Sequence, residues 1–283
     1  MINYDFMNNS YREMPNDFVL MRHGESESNV VQRAEYAGEI HENYEEVASR
    51  PDWQQRLTKN GVKQAQIAGQ WLRDQFGSID NFDGCYVSPF VRARETASWV
   101  GGNNWIIDDR IVERFRGVYG VVSYERNYTS DTVHRFKGIY DASPWYARMD
   151  GAESLQDAFS RFRDFQDSVK RHHARQKVLV ISHGDFIRTA RYAIEWMLPE
   201  NWHKASKTEN FRLPNCSIVH YTRINPLDPT DVRRGINWYR IVYPDDIANS
   251  PNGGKWQKLE IKRIYNSDEL TAGFEEFPRL IID

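Results

Sequence analysis

The chain has 283 residues, enough for one large domain or a domain with an appendage, and its 40% hydrophobic content can fill a packed core. Its formal net charge of −3 argues against a nucleic-acid partner, and no apolar run approaches the roughly 20 residues of a membrane span. Two cysteines make no disulfide framework and the N-terminus lacks a secretory signal, so we expect a cytoplasmic protein.

Predicted strands and helices alternate along the first 220 residues. Short apolar runs bounded by polar residues predict buried strands at 18–21, 84–88, 105–108, 177–182 and 215–221. Apolar stripes at helical spacing predict helices at 58–76, 89–100, 154–169 and 186–198. Thr58 and Ser154 are predicted N-caps, and Pro199 is predicted to end the last helix. This alternation predicts an α/β fold, a three-layer α/β/α sandwich with a largely parallel central sheet.

The sequence changes in character after Ile224. The stretch "NPLDPTD" is rich in turn-forming residues, whereas "NWYRIVYP" and "KWQKLEIKRIY" are typical of β-strands. We therefore expect a main domain at 1–224 and a small β-rich C-terminal extension at 225–283 that packs on it. Within the main domain, 30–56 is a polar, acidic insertion and 114–150 is rich in aromatic residues.

Two histidines follow predicted strands directly. His23 comes after "FVLMR" and His183 after "KVLVIS", and each precedes a glycine. In open α/β sheets, ligands bind beyond the carboxyl ends of the strands. Glycine permits a sharp turn and leaves room for a ligand, and the helix that begins at Gly184 favours an anion at its N-terminus.

A third strand end supplies the stretch "SPFVRARETA", which places Arg92 and Arg94 in the first turn of a helix. Arg22, Arg92 and the two histidines would then surround one position. Arginine matches phosphate oxygens with its planar fork, and nearby cations keep an imidazole neutral and nucleophilic. Each feature alone has an ordinary structural explanation, but together they indicate a phosphoryl-binding pocket.

These motifs, in this order, resemble the histidine phosphatase superfamily, which includes phosphoglycerate mutases and acid phosphatases. The resemblance covers about 17–222. "RHGESESN" resembles the nucleophile motif, "SPFVRARETA" the second-arginine motif, and "VLVISHGDFIR" the second histidine. "RIVERFRGVYG" is similar to the segment that carries the acidic proton donor, and "DGAESLQDAFSRF" to a helix start of the family. The resemblance implies a phosphoglycerate mutase-like catalytic domain at 1–224.

The resemblance also implies roles for individual residues. His23 corresponds to the nucleophile that becomes phosphohistidine, Glu113 to the general acid, and His183 to a catalytic partner. The candidate phosphate-binding residues are Arg22, Arg92, Asn29, Ser26 and Gly184. Arg94, Glu25 and Glu153 are expected to lie outside the chemistry, and Asp185 is the next candidate acid after Glu113.

The implied activity is hydrolysis of a small phosphomonoester through a phosphohistidine, with no metal and no cofactor. A phosphoglycerate mutase activity is the first alternative, although mutases carry "NERHYG" where this chain has "VERFRG". A non-catalytic binding module on the same fold is the second. We expect no nucleic-acid partner and no membrane, and the oligomeric state stays open with a homodimer as one candidate.

The aromatic-rich segment leaves two explanations open. Phe115, Tyr119, Tyr124, Tyr128 and the stretch "YDASPWYARM" could line a pocket for an apolar leaving group. They could equally form an ordinary core beneath a long loop. The sequence also names neither the substrate nor the role of 225–283.

Overall fold

The computed structural model describes residues 13–117, 130–149, 151–208, 211–260, 265–276 and 278–281. Its strands are β1 Asp17–Arg22, β2 Gly84–Val87, β3 Trp105–Ile107, β4 Lys177–Ser182, β5 Ile218–Thr222, β6 Ile224–Asn225, β7 Asp228–Val232, β8 Trp238–Val242 and β9 Gln257–Lys258. Its α-helices are α1 Glu27–Tyr36, α2 Tyr44–Ser49, α3 Lys59–Phe76, α4 Val91–Val100, α5 Ser130–Ala142, α6 Leu155–His172, α7 Gly184–Ile194, α8 Pro199–Ser206 and α9 Ser267–Thr271.

The central sheet has seven strands in the order β3-β2-β4-β1-β5-β8-β9. The first four are mutually parallel, and β5, β8 and β9 join by antiparallel pairing. In the β1–β4 ladder, Arg22 lies opposite Ser182. Each is the last residue of its strand, so this register brings the following residues, His23 and His183, side by side at one edge of the sheet.

Both faces of the sheet are buried, which explains why its central strands are apolar without interruption. Phe18 and Leu20 belong to the core cluster beneath α6 and α7, whereas Val19 and Met21 belong to the cluster beneath α3 and α4. Successive side chains of a strand point to opposite faces, so one short run supplies both clusters. The predicted three-layer sandwich with a largely parallel sheet is confirmed.

Local capping agrees with the sequence at two helices and differs at a third. Thr58 Oγ1 accepts a hydrogen bond from Gly61 N at 3.0 Å, and Ser154 Oγ accepts one from Asp157 N at 3.1 Å. The expected end of a helix at Pro199 is wrong. The α7 helix already ends at Ile194, and Pro199 is the first residue of α8. Proline is favoured there because the first helical residue needs no N–H donor.

Gly24 is required by packing. A Cβ atom on Gly24 would lie 2.4 Å from the backbone oxygen of Gly61, and one on Gly61 would lie 2.0 Å from the backbone oxygen of Glu25. The turn after His23 therefore touches the start of α3 backbone to backbone. Larger residues at either glycine would push apart the turn that holds His23.

The C-terminal strands continue the main sheet. β8 pairs with β5 over five residue pairs, and Ile241 is buried in the core cluster that contains Phe18 and Leu20. The short strands β6 and β7 form a separate two-stranded sheet. In the predicted strand "KWQKLEIKRIY", only Gln257–Lys258 is a strand among the described residues, and 261–264 lie outside them. The division into 1–224 and 225–283 stays a prediction, and removing the second part would uncover the edge of β5.

Two observations bear on the environment of the chain. Cys85 and Cys216 are both free and buried, and burial raises the pKa of the Cys85 thiol to about 12. No helix in the described residues combines the length and hydropathy needed to cross a bilayer. The cellular location stays a prediction.

Candidate active site

The predicted site residues converge at the carboxyl ends of β1, β2 and β4. A cavity of about 280 Å³ opens there. Five of the sequence-predicted residues line it: Arg22, His23, Asn29, Arg92 and Glu113. His183 lies directly behind His23, with 5.0 Å between the ring centroids.

The ring of His23 is held by one hydrogen bond at each nitrogen. Its Nδ1 lies 2.7 Å from the backbone oxygen of Gly24, and its Nε2 lies 3.2 Å from Arg92 Nε. A carbonyl oxygen only accepts, so Nδ1 carries the proton and donates it. Nε2 then carries the only in-plane lone pair of the ring, and in this structure that lone pair accepts the hydrogen bond from Arg92 Nε. This tautomer leaves Nε2 as the nitrogen that can attack an electrophile.

The surroundings of His23 keep its ring neutral. Only 2% of the residue is exposed. Burial, together with the nearby charges of Arg92, His183 and Arg22, lowers the pKa of His23 well below its usual value. A neutral imidazole retains the lone pair that a nucleophile needs.

His183 is fully buried between two elements of the site. Its Nε2 lies 2.8 Å from Ser88 Oγ, and its ring packs edge-on against Phe90. Burial, Arg92, Arg22 and Arg161 lower its pKa well below the usual value. In the described part of the chain, its Nδ1 has no hydrogen-bond partner. This leaves one ring nitrogen of a buried imidazole without a partner directly behind His23.

Arg22 is half-buried at the end of β1. Its Nη1 donates to the backbone oxygen of Leu213 at 2.5 Å. Its Nε has no partner among the described residues, and it lies 3.5 Å from the position of a Cβ added to Gly184. Arg22 thus places an unused buried donor next to the first residue of α7.

Glu113 is fixed at the N-terminus of α7. Its Oε1 accepts from Arg114 N at 2.9 Å, Asp185 N at 3.1 Å and Phe186 N at 3.2 Å. From the described residues, its Oε2 accepts only a longer bond of 3.3 Å, from Asp185 N. Oε2 is therefore the oxygen that remains for a substrate or a proton.

Three weaker phosphate-binding candidates occupy different places. Asn29 lines the cavity, and its Oδ1 accepts from Ser26 N at 3.2 Å and Asn215 Nδ2 at 2.9 Å. Its NH2 group is therefore the part that can donate to a ligand. Ser26 is fully buried beside Ser28, 2.9 Å between the hydroxyl oxygens, and it is not among the lining residues. Gly184 begins α7 behind Arg22.

The residues expected to lie outside the chemistry make structural contacts. Glu25 Oε2 accepts from Arg33 at 2.8 Å, and Arg94 is exposed on α4. Glu153 accepts from Arg161 at 2.8 Å and from Phe115 N at 2.8 Å, so it holds the segment after Glu113. These positions support the site without facing its cavity.

Asp185, the second candidate acid, is buried among guanidinium groups. Its carboxylate accepts from Arg114 at 3.2 Å, from Arg116 at 3.4 Å and from Arg188. Burial and the charges of neighbouring arginines lower the pKa of Arg188 to about 10. Several cations around one carboxylate stabilise its ionised form, so Asp185 is poorly suited to donate a proton.

Residues that the sequence did not single out also line the cavity. Asp52 and Trp53 come from a short 3₁₀ turn, Asp52–Gln54, in the polar 30–56 insertion. Arg114 and Arg116 come from the segment after Glu113. The arginines were visible in the motif "VERFRG", but nothing in the insertion marked Asp52 as a partner of the site. Among the described residues, four arginines and two acidic residues line the cavity.

Different parts of the aromatic-rich segment fit each of the two explanations, an ordinary core and a pocket for the leaving group. Trp145 is buried in a cluster with Leu155, Trp202 and Phe211, as expected of an ordinary core. Phe115, by contrast, is 56% exposed and lines the cavity. The predicted Tyr119, Tyr124 and Tyr128 lie outside the described residues.

A larger cavity of about 770 Å³ lies in the C-terminal extension, away from this site. It is lined by residues such as Arg233, Arg240 and Trp256, and none of the predicted site residues reaches it. The described residues contain no cluster of three or more His, Cys, Asp or Glu side chains suited to a metal ion. Metal independence of the chemistry stays a prediction.

Comparison with known sequences decides the family. The sequence model of the histidine phosphatase superfamily, branch 1, matches residues 18–225. The chain belongs to this superfamily. The match begins at β1 and ends beside β6, so it spans both histidine motifs and stops where the C-terminal extension begins.

Relatives within the histidine phosphatase superfamily carry two kinds of name. The chain is 28% identical over 191 residues to a 2,3-bisphosphoglycerate-dependent phosphoglycerate mutase of Methylorubrum extorquens, covering 63% of this chain and 79% of the mutase. It is 30% identical over 171 residues to phosphoserine phosphatase 1 of Hydrogenobacter thermophilus, covering 58% of this chain and 69% of that protein. Both matches agree with the superfamily assignment. One relative is named as a mutase, which transfers a phosphoryl group, and the other as a phosphatase, which hydrolyses one.

Solved structures of the superfamily share the fold. Phosphoserine phosphatase of Entamoeba histolytica, in complex with 3-phosphoglyceric acid, matches with a TM-score of 0.53 at 24% identity over 73% of this chain and 90% of that one. Alpha-ribazole phosphatase of Shigella flexneri matches with a TM-score of 0.56 at 20% identity over 75% and 92%. About a quarter of this chain therefore lies outside each of these two matches.

Proposed function

We propose that this protein is a phosphomonoester hydrolase that acts on a small phosphorylated metabolite through a phosphohistidine intermediate. The observation that carries the proposal is the state of His23. Its ring is neutral, its Nδ1 proton is held by the backbone oxygen of Gly24, and its Nε2 accepts a hydrogen bond from Arg92, which lines the same cavity. The small volume of that cavity, about 280 Å³, favours a small substrate.

The charge of the cavity supports a phosphoryl ligand. Among the described residues that line it, arginines outnumber acidic residues, so the cavity favours the anionic phosphoryl group of a phosphomonoester. Preorganised donors in a buried site stabilise charge that develops during the reaction, without reorganisation at that moment. The arginines therefore supply the electrostatic stabilisation.

The first step transfers the phosphoryl group to the enzyme. Nε2 of His23 attacks phosphorus, the N–P bond forms, and the bond from phosphorus to the leaving oxygen breaks in line. Glu113, through Oε2, gives its proton to the departing oxygen. The alcohol product leaves, and the enzyme holds phosphohistidine beside Arg22 and Arg92.

The second step returns the enzyme to its first state. Water attacks phosphorus as Glu113 accepts the proton of that water, and the N–P bond breaks. Inorganic phosphate leaves, and His23 regains its neutral form. Positioning and charge stabilisation account for the catalysis, since little other covalent chemistry is needed.

Trapping the intermediate tests the proposal. Rapid quenching with ³²P-labelled substrate is expected to give an acid-labile, base-stable phosphoenzyme. His23→Ala should abolish both the phosphoenzyme and the turnover of p-nitrophenyl phosphate, whereas His172→Ala, at an exposed position on α6, should leave both unchanged. Substantial turnover by a folded His23→Ala variant would refute the proposal.

A mutase activity is the second candidate, favoured by the relatives named phosphoglycerate mutase. It shares the first step and differs in whether water or a bound hydroxyl accepts the phosphoryl group. With 3-phosphoglycerate and a trace of its bisphosphorylated form, we expect release of phosphate and little 2-phosphoglycerate. Rapid interconversion of the two phosphoglycerates would replace hydrolase with mutase.

A further inference from the structure

Each nitrogen of the Arg92 guanidinium donates a hydrogen bond to a neighbouring residue. Its Nε donates to His23 Nε2 at 3.2 Å. Its Nη1 donates to Asp52 Oδ1 at 3.0 Å and to the Asp52 backbone oxygen at 2.6 Å, and its Nη2 donates to Asp52 Oδ2 at 3.2 Å. Asp52 thus binds the guanidinium with both carboxylate oxygens and with its backbone.

The two bidentate edges of Arg92 are therefore used differently. Asp52 takes the end-on edge, formed by Nη1 and Nη2. The side-on edge, formed by Nε and the second N–H of Nη2, is left facing His23. A planar guanidinium cannot turn one edge without turning the other. The carboxylate of Asp52 therefore sets the direction in which Arg92 meets a ligand at His23 Nε2.

Asp52 is itself held from both sides along the chain. On one side, Arg50 Nη1 donates to Glu27 Oε2 on α1 at 2.7 Å. On the other, Arg56 and Leu57 N donate to Glu95 on α4, the latter at 2.7 Å. Between them, the buried Gln55 donates to backbone oxygens of Val47 and Arg50, at 2.9 and 3.0 Å. The residues that flank the 3₁₀ turn Asp52–Gln54 are therefore anchored to α1, α2 and α4 by hydrogen bonds.

From this geometry we infer that Asp52 is a positioning residue for phosphoryl transfer, acting through Arg92. The inference rests on the proposed function. When a phosphoryl group lies at His23 Nε2, Arg92 Nε gives up its hydrogen bond to Nε2 and donates to a phosphoryl oxygen instead, while Asp52 keeps the end-on edge and the plane of the guanidinium fixed. The polar 30–56 insertion thereby contributes to catalysis from outside the strand-end motifs.

The alternative role of Asp52 is charge screening, and it predicts the opposite result. A carboxylate that merely offsets the charge of Arg92 would weaken the binding of a phosphate dianion, so removing it would tighten binding and leave kcat unchanged or higher. A positioning carboxylate affects the transition state. Misplacing a catalytic group by about 1 Å costs on the order of 10²-fold in rate.

The experiment is a double-mutant cycle on the full chain with p-nitrophenyl phosphate. Asp52→Asn is expected to lower kcat by about 10²-fold, with a change in KM of less than about threefold. In an Arg92→Gln background, the same substitution should change kcat by less than about twofold, because no guanidinium is left to orient. Inhibition by inorganic phosphate should not become stronger in Asp52→Asn.

Controls separate positioning from folding. Glu46→Gln alters an exposed acid of the same segment and should leave kcat unchanged. Asp52→Glu keeps the charge but displaces it, so it should show a kcat between those of the wild type and Asp52→Asn. A thermal melt shows whether each variant folds. If Asp52→Asn does not fold, the fall in kcat of Asp52→Glu tests the inference in its place.

The outcomes also distinguish this inference from the proposed function. An inactive His23→Ala variant beside a fully active Asp52→Asn variant would overturn the inference alone. An equal loss of kcat in the wild-type and Arg92→Gln backgrounds would also overturn it, because Asp52 would then act independently of Arg92. An active His23→Ala variant would instead refute the proposed function.

Discussion

The cavity has two walls of different origin. One wall, the strand-end wall, consists of residues that directly follow strands or begin the next helix, such as His23 and Arg92, with His183 directly behind His23. The other, the irregular wall, consists of residues on irregular segments. These are Asp52 and Trp53 from the insertion and Arg114, Phe115 and Arg116 from the stretch after Glu113.

The strand-end wall is fixed by the central sheet. Its imidazoles are buried, and the register of β1 on β4 sets their spacing. The irregular wall carries two half-exposed aromatic rings, with Trp53 at 51% and Phe115 at 56% exposure. A rigid wall suits the phosphoryl group that every substrate shares, and a more exposed wall suits the part of the substrate that varies. Substitutions in the two walls should therefore differ in how strongly their effect depends on the leaving group.

Glu113 lies where the two walls meet, and its replacement should give the largest difference between substrates. General acid catalysis matters most for a poor leaving group, so Glu113→Gln should slow turnover of glycerol phosphate by about 10²–10⁴-fold. Glutamine keeps an oxygen for the backbone N–H groups of α7. Formation of phosphoenzyme from p-nitrophenyl phosphate, measured as a burst, should fall far less. Equal losses for the two substrates would place the acid elsewhere.

Arg22 belongs to the strand-end wall, so its loss should not depend on the leaving group. Loss of one preorganised donor to a developing anion costs about 10²–10³-fold in kcat. Arg22→Met is expected to show that loss with p-nitrophenyl phosphate and glycerol phosphate alike, in steady-state assays. Arg94→Met, at an exposed arginine on α4, serves as the control and should retain activity. A loss of kcat with only one of the two substrates would contradict this assignment and indicate that Arg22 contacts the leaving group.

Phe115 belongs to the irregular wall, so its loss should depend on the leaving group. An aromatic contact contributes about 0.5–1.5 kcal/mol, so Phe115→Ala should raise KM for aryl phosphates by about 2- to 13-fold. KM for glycerol phosphate and kcat for both should change little. Trp99→Ala removes an exposed ring from α4 outside the cavity and should have no effect. Equal changes for both substrates would contradict a role in recognising the leaving group.

The buried histidines should make folding sensitive to mild acid. Burial lowers the pKa of His23, His183 and His220 in the folded state, so below the unfolded value of 6.5 the unfolded chain binds more protons. Stability is therefore fully present above that value and falls as pH decreases, by at most about 1.4 kcal/mol per pH unit for each histidine. Urea unfolding at pH 7.5 and 5.5 measures this loss.

A matched pair of variants isolates one histidine. His220 lies outside the cavity and bonds to Asp17 at 2.8 Å, so His220→Gln should reduce the loss of stability between the two pH values without changing the catalytic residues. His172→Gln, at an exposed position on α6, should leave the loss as in the wild type. An unchanged loss in His220→Gln would show that this ring titrates alike in both states.

The sequence by itself determined the strand-end wall. An apolar run predicts a buried strand, and the residue after it must lie at the edge of the sheet. His23, His183 and Arg92 could therefore be placed together before their distances were known. The caps at Thr58 and Ser154 were also predictable, because a cap bonds to a residue only three positions away.

Only the tertiary structure decided the irregular wall and the end of the chain. Asp52 and Arg92 are 40 residues apart, and no periodicity selects this carboxylate among the many acids of the insertion. The contact of Gly24 with Gly61 and the pairing of β8 with β5 are likewise unmarked in the sequence. Local patterns depend on the geometry of one element, whereas these contacts depend on how separate elements pack.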